Sequence, residues 1–219
     1  MNLGLTKTNN LVVTDCDEVL CNISPKWYRR IRENFKLFEC HFVDMGDLDD
    51  KSVLMRSQYY LNQWLTDGKK LPKELFDKFY ELYDENFYDD LALTPMGRGL
   101  RALLDTPVIG KIIVLTHTEE RNFKSKERFL VRNFPSKSVE IVFLPHEIGK
   151  DAFLKQEGVK YDMFVDDRWD FVQDVIRNTD SRGKSFLLPD LGYNRFDPAA
   201  AILYNRTNGV EIGRYKAVI

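Results

Sequence analysis

The stretch Leu11-Val12-Val13-Thr14-Asp15-Cys16-Asp17-Glu18-Val19-Leu20 constrains this chain more than any other. A short apolar, β-branched run predicts a buried strand over residues 11–15. It ends in two carboxylates, Asp15 and Asp17, two residues apart. Side chains two apart in extended chain share a face, and open α/β sheets bind ligands just outside the carboxyl ends of their strands. Both acids should therefore share one crevice, where they repel unless a cation or a shared proton relieves them. A strand followed by an acidic turn is the plain alternative, because Asp is common in turns.

After the pair the chain changes character. Ser24-Pro25 reads as a helix start with Pro at the first helical position, and Trp27, Ile31 and Phe35 follow at helical spacing. A second helix is expected over 51–66, with Leu54, Tyr59, Leu61 and Trp64. A third is expected over 72–88, with Leu75, Phe76, Phe79, Tyr80, Leu82 and Tyr83. Residues 22–93 thus form a helical insertion directly behind the Asp pair.

From Thr94-Pro95 strands and helices alternate. Helices are predicted at 95–105, 119–133, 150–156 and 169–178, and strands at 111–115, 139–144, 161–165 and 185–188. Such alternation argues a Rossmann-like parallel sheet with helices on both faces. The strand at 111–115 ends in Thr116-His117-Thr118, and the one at 161–165 in Asp166-Asp167, with Asp170 beyond. Lys150 opens a helix between them. If the strands are parallel, these ends lie on one sheet edge. Asp15, Asp17, Asp166 and Asp167 then make an oxygen-only site suited to Mg²⁺, with Lys150 and the Thr116 hydroxyl as donors to phosphate oxygens. Lys155, on the same helix, competes with Lys150 for that role.

The 219 residues allow one core with a smaller companion. A net charge of −2 sets up no field to attract nucleic acid. No run reaches the roughly 18 apolar residues of a membrane span, and residues 1–10 lack an apolar signal region. Cys16, Cys21 and Cys40 fit no zinc spacing and are expected as reduced thiols in the cytoplasm.

Asp15-Cys16-Asp17-Glu18-Val19, Thr116, Lys150 and Asp166-Asp167 with Asp170, in that order at successive strand ends, resemble the four motifs of the haloacid dehalogenase superfamily of phosphotransferases. The resemblance covers nearly the whole chain. It implies a core over 1–21 and 94–219 and a helical C1 cap over 22–93. Within the superfamily the chain looks most like the 5′(3′)-deoxyribonucleotidases, through the helical cap, Pro95-x-Gly97, Phe164-Val165-Asp166-Asp167-Arg168 and Gly192-Tyr193-Asn194-Arg195. Glu18 stands where those nucleotidases usually carry Gly.

The resemblance implies a Mg²⁺-dependent phosphomonoesterase acting on a small phosphomonoester, first of all a nucleoside monophosphate. Asp15 would be the nucleophile, Asp17 the general acid and base, and Thr116 and Lys150 the phosphate holders. Asp15, Asp167 and the Asp17 carbonyl would hold the metal, Asp166 directly or through water, and Asp170 would orient a metal water. His117 and Arg121 are rim candidates. Trp27 and Tyr28 are the aromatic residues expected to face the substrate. The neighbouring Lys124, Lys126 and Arg128 read as a solvated helix face. A homodimer is left open. The rival readings are a related phosphatase for another metabolite or a nucleic-acid end, a non-catalytic binding protein of the same fold, and the Asp-Cys-Asp metal motif of a nucleotide-sugar transferase.

Overall fold

The computed structural model describes residues 9–34, 36, 48–56, 73–135, 137–189, 191 and 211–215. Among these, six segments pair as parallel strands: β1 (Asn10–Thr14), β2 (Ile109–His117), β3 (Val139–Leu144), β4 (Met163–Val165), β5 (Ser185–Pro189) and β6 (Glu211–Tyr215). Their spatial order is β3-β2-β1-β4-β5-β6. β1 lies inside the sheet, with Val12 opposite both Ile112 and Met163. Its β-branched residues suit a strand buried on both faces.

The helices are α1 (Ser24–Glu33), α2 (Asp50–Arg56), α3 (Lys73–Glu81), α4 (Pro95–Leu103), α5 (Phe123–Asn133), α6 (Lys150–Gln156) and α7 (Trp169–Asn178). They cover both faces, as the alternation predicts. Val12, Ile112, Val114, Met163 and Val165 share one core with Trp27, Ile31, Met96, Leu100, Phe129 and Leu130. Val13, Ile113, Leu115, Phe164 and Phe186 share the other with Leu154, Val172, Val175 and Ile176. Among the described residues, no helix is long and apolar enough to cross a membrane.

Between β1 and α4 the described elements are all helical. Phe35, Tyr59, Leu61 and Trp64 lie outside the described residues, as do Cys40 and residues 192–195. The third helix ends at Glu81, short of the expected 88. Asp84 turns the chain there: its side chain accepts from the Asn86 N–H at 3.0 Å and its carbonyl from the Phe87 N–H at 3.1 Å. β6 was not anticipated. Its sequence, Glu-Ile-Gly-Arg-Tyr, carries a central Gly and little apolar patterning, and its order comes from pairing with β5.

Candidate active site

The strand order reverses between β1 and β4, and open α/β sheets bind ligands at such a switch point. The Asp15 N–H donates to Val165 O at 2.8 Å, and the Asp166 N–H to Leu187 O at 3.2 Å. These bonds seat the acids just past their strands. The Lys150 Nζ reaches between them from the first residue of α6. It lies 2.8 Å from Asp15 Oδ1 and 2.7 Å from Asp166 Oδ2. All three side chains are buried, while Lys155 is exposed on the same helix.

Burial opposes the Lys150 charge, yet the Asp15 and Asp166 carboxylates outweigh it and hold the ammonium above its ordinary pKa. Burial pushes Asp166 up to about 6, against the pull of Lys150. For Asp15 the balance tips the other way. Burial would raise it, but Lys150 and Lys126 hold it below the usual carboxylate range. Asp15, Asp166 and Asp167 each offer an oxygen, and these oxygens lie within 4.8 Å of one another. Three carboxylates around one ammonium leave an excess of two negative charges, which a divalent cation would neutralise.

The Asp17 side chain stands apart from that trio. Its Oδ1 accepts from the Tyr88 hydroxyl at 2.8 Å, and its Oδ2 from Lys126 Nζ at 3.0 Å. Lys126 is fully buried and also donates to Thr116 Oγ1 at 2.9 Å and to the His117 carbonyl at 2.7 Å. The solvated reading of Lys126 is therefore corrected: three acceptors draw the ammonium inward. Burial lifts the Asp17 carboxyl above its ordinary value, and Lys126 only partly offsets this. A signal for Lys126 was present. Asn122, Ser125, Lys126, Phe129 and Leu130 lie on one helical stripe, so the lysine occupies a position facing inward.

Between the two acids and the insertion the chain makes a tight turn. The Cys16 carbonyl accepts from the N–H groups of Leu20 at 2.7 Å and Cys21 at 3.1 Å. Glu18 occupies the left-handed region, with φ +56°, a conformation that costs a non-glycine residue about 1–2 kcal/mol. Its side chain is tied down in return. Oε1 accepts from the Ser24 N–H at 2.6 Å and from the Ser24 hydroxyl, at the start of a helix that Ile23 does not cap. Oε2 is buried without a hydrogen-bond partner. Burial, set against the Ser24 bonds, pushes Glu18 up to about 7.

The remaining sequence candidates are placed as follows. His117 is half-buried, stacks on His146 at 5.4 Å and meets the Ile148 carbonyl at 3.0 Å. Arg121 donates to Tyr80 O at 2.8 Å. Asp170 is exposed and accepts from Arg168 Nε at 2.9 Å, while the Arg168 N–H donates to Asp166. Its link to the acidic trio thus runs through Arg168. Trp27 and Tyr28, expected to face the substrate, are buried in the core cluster that includes Val12 and Cys16. Trp27 packs on Tyr83 at 5.2 Å and Phe87 at 5.4 Å, and both residues are at most 2% exposed. Their helical spacing reflects core packing. Among the described residues, Tyr88 is an insertion aromatic that hydrogen-bonds an acid, Asp17.

Solved structures share this architecture. A haloacid dehalogenase-like family hydrolase from Streptococcus pneumoniae superposes with a TM-score of 0.58 at 13% identity, covering 95% of each chain. A protein provisionally named phosphoglycolate phosphatase, from Lactobacillus plantarum, gives 0.55 at 16% identity over 96% of this chain and 97% of its own. A provisionally named beta-phosphoglucomutase from Thermotoga maritima gives 0.55 at 15% identity over 95% and 94%. At these identities the likeness is one of fold: this chain has the α/β fold of haloacid dehalogenase-like hydrolases. No protein-family model and no curated protein sequence matches it.

Proposed function

We propose that this chain is a Mg²⁺-dependent phosphomonoesterase working through an aspartyl-phosphate. The observation that carries the reading is the geometry at the strand ends: Asp15, Asp166 and Asp167 bring oxygens within 4.8 Å of one another with Lys150 Nζ 2.8 Å from Asp15, while the Asp17 side chain turns to Lys126 and Tyr88. Two carboxyls two residues apart are pushed in opposite directions, Asp15 toward the ionised form and Asp17 toward the protonated one. A nucleophile and a general acid need that division. An Asp15 oxygen attacks phosphorus as the bond to the leaving oxygen breaks, and Asp17 gives that oxygen its proton. Asp17 then takes a proton from the water that hydrolyses the aspartyl-phosphate and frees Asp15. Lys150 and Thr116 hold the transferring group. Asp15, Asp166 and Asp167, with the Asp17 carbonyl, would hold the Mg²⁺, which offsets the repulsion between carboxylate and phosphate.

The helices of 22–93 act as a cap in this reading, and the Tyr88 contact with Asp17 supports it. The substrate is a small phosphomonoester. Pro95-x-Gly97 and the run from Phe164 to Arg168 favour a nucleoside monophosphate, by their resemblance to the nucleotidases. The inward packing of Trp27 and Tyr28 favours the second reading, another small phosphometabolite. The free thiols of Cys16 and Cys21, 3.9 Å apart, support a reducing, cytoplasmic setting.

The test is phosphate release from ribo- and deoxyribonucleotides, sugar phosphates and a 3′-phosphorylated oligonucleotide, with Mg²⁺ or EDTA. Release from deoxynucleotides that disappears with EDTA and with Asp15→Asn is expected. Release confined to sugar phosphates keeps the mechanism and removes the nucleotidase assignment. Release from nothing in the panel overturns the reading as an enzyme.

A further inference from the structure

We propose that the cavity beside the ends of β2 and β3 receives a heteroaromatic ring carried on the alcohol of the phosphomonoester, and that Phe123 is the residue on which the ring stacks. The proposal deepens the phosphomonoesterase reading given above and rests on it for the place of the phosphate.

The cavity measures about 840 Å³, within the range of small-molecule sites. Three separate stretches wall it: the start of α5 with the residues before it, the end of β3, and residues 85–86 of the insertion. Its apolar lining is Phe123, Phe143, Leu144 and Pro145. The Phe123 and Phe143 rings lie 4.2 Å apart, tilted by 51°. Phe143 thus supports Phe123, which still keeps 36% of its surface open. A supported ring with an open side is a platform for another ring.

The polar lining offers both senses of hydrogen bond. The Thr118 hydroxyl donates to Asn122 Oδ1 at 2.8 Å, so toward a ligand it accepts. Asn86 Oδ1 accepts from Arg128 at 3.3 Å, which leaves the amide N–H groups to donate. The charges balance. Arg121, Lys124 and Arg128 are matched by Glu85, Glu120 and the Asp89 carboxylate that pairs with Arg128. With no net charge to draw a second anion, the cavity suits a neutral ring with donors and acceptors along its edge.

The cavity adjoins the place of the phosphate. Thr118 stands two residues past Thr116, at most about 7 Å along the chain. Phe143 is the register partner of Thr116 across β2 and β3. Both side chains fall on the face that α5 covers, Thr116 against Lys126 and Phe143 against Phe123. A ring a few bonds from phosphorus therefore reaches Phe123. The platform belongs to the core, whereas Trp27 and Tyr28 of the insertion are packed inward.

The experiment compares kcat/KM for nucleoside 5′-monophosphates, which carry such a ring, with that for ribose 5-phosphate, which lacks it. Phe123→Ala is expected to lower the nucleotide value about tenfold and the ribose 5-phosphate value less than about twofold. Phe123→Tyr keeps a ring and is expected to keep the native ratio. Equal falls on both substrates, or no fall on either, overturn the proposal. If circular dichroism shows that Phe123→Ala does not fold, Phe123→Leu, which keeps the bulk and removes the ring face, is read in its place. A second arm needs no turnover: binding of adenosine, guanosine, cytidine and thymidine, followed by ligand-observed NMR with EDTA present. Nucleoside binding that the Phe123 variant weakens about tenfold, in a native chain that hydrolyses nothing, overturns the proposed function and upholds the cavity. Hydrolysis of ribose 5-phosphate by a chain that binds no nucleoside overturns the inference and leaves the proposed function standing.

Discussion

Glu18 couples the turn after Asp15 and Asp17 to folding. Its raised pKa means that the native state prefers the protonated carboxyl. The stability this contributes is fully present below pH 4.5 and lost as pH rises through about 7. Glu18→Gln keeps the Ser24 contacts and removes the titration. Urea unfolding at pH 5 and pH 8 should show the drop in stability between the two shrinking by about 3 kcal/mol. At this scale the sequence was most legible where chemistry coincides with a strand end. Asp15, Thr116, Asp166 and Asp167 each follow an apolar run, and a local pattern suffices to set them on one edge. Lys126 was hidden because its neighbours Lys124 and Arg128 are charged and exposed. Only the helical phase separates it from them. Trp27 and Tyr28 turn into the core cluster, and closeness to the first motif says nothing about which side of α1 meets the core.

Among the elements, α4 shows how tightly the insertion is pinned. The Thr94 hydroxyl accepts from the Gly97 N–H at 3.0 Å and so caps the helix. Gly97 then lies against the turn that follows Asp17. A Cβ there would meet Leu20 O at 2.9 Å and Leu93 Cδ2 at 3.0 Å. Gly97→Ala should therefore push α4 away and cost about 1–3 kcal/mol, read as a lower urea midpoint with an unchanged slope. The Pro95-x-Gly97 signature thus has a packing cause. Most helices and the first five strands were readable from period and breakers. β6 was not, because an edge strand with a central Gly owes its order to its neighbour.

At the scale of the whole molecule, the sheet gathers excess negative charge at one point. Asp15, Asp166 and Asp167 come from segments far apart in sequence and meet only when β1 and β4 pair. A cation bound there stabilises the folded chain alone. Saturation at a hundred times the dissociation constant is worth about 2.7 kcal/mol. Mg²⁺ should therefore raise the melting temperature by about 2–4 °C per kcal/mol, and Asp167→Asn should abolish most of that rise. Calorimetry with and without EDTA checks both.

The Thr94 N–H donates to Leu20 O at 2.9 Å, and Cys21 pairs with Leu93 in a short antiparallel bridge. The chain thus departs from the sheet and returns to it through one doorway, and Trp27, Ile31 and Tyr88 from the stretch between lean back on the core beside it. With both ends of the stretch held side by side, a change of length between Cys21 and Leu93 leaves the strand ends behind the doorway in their places.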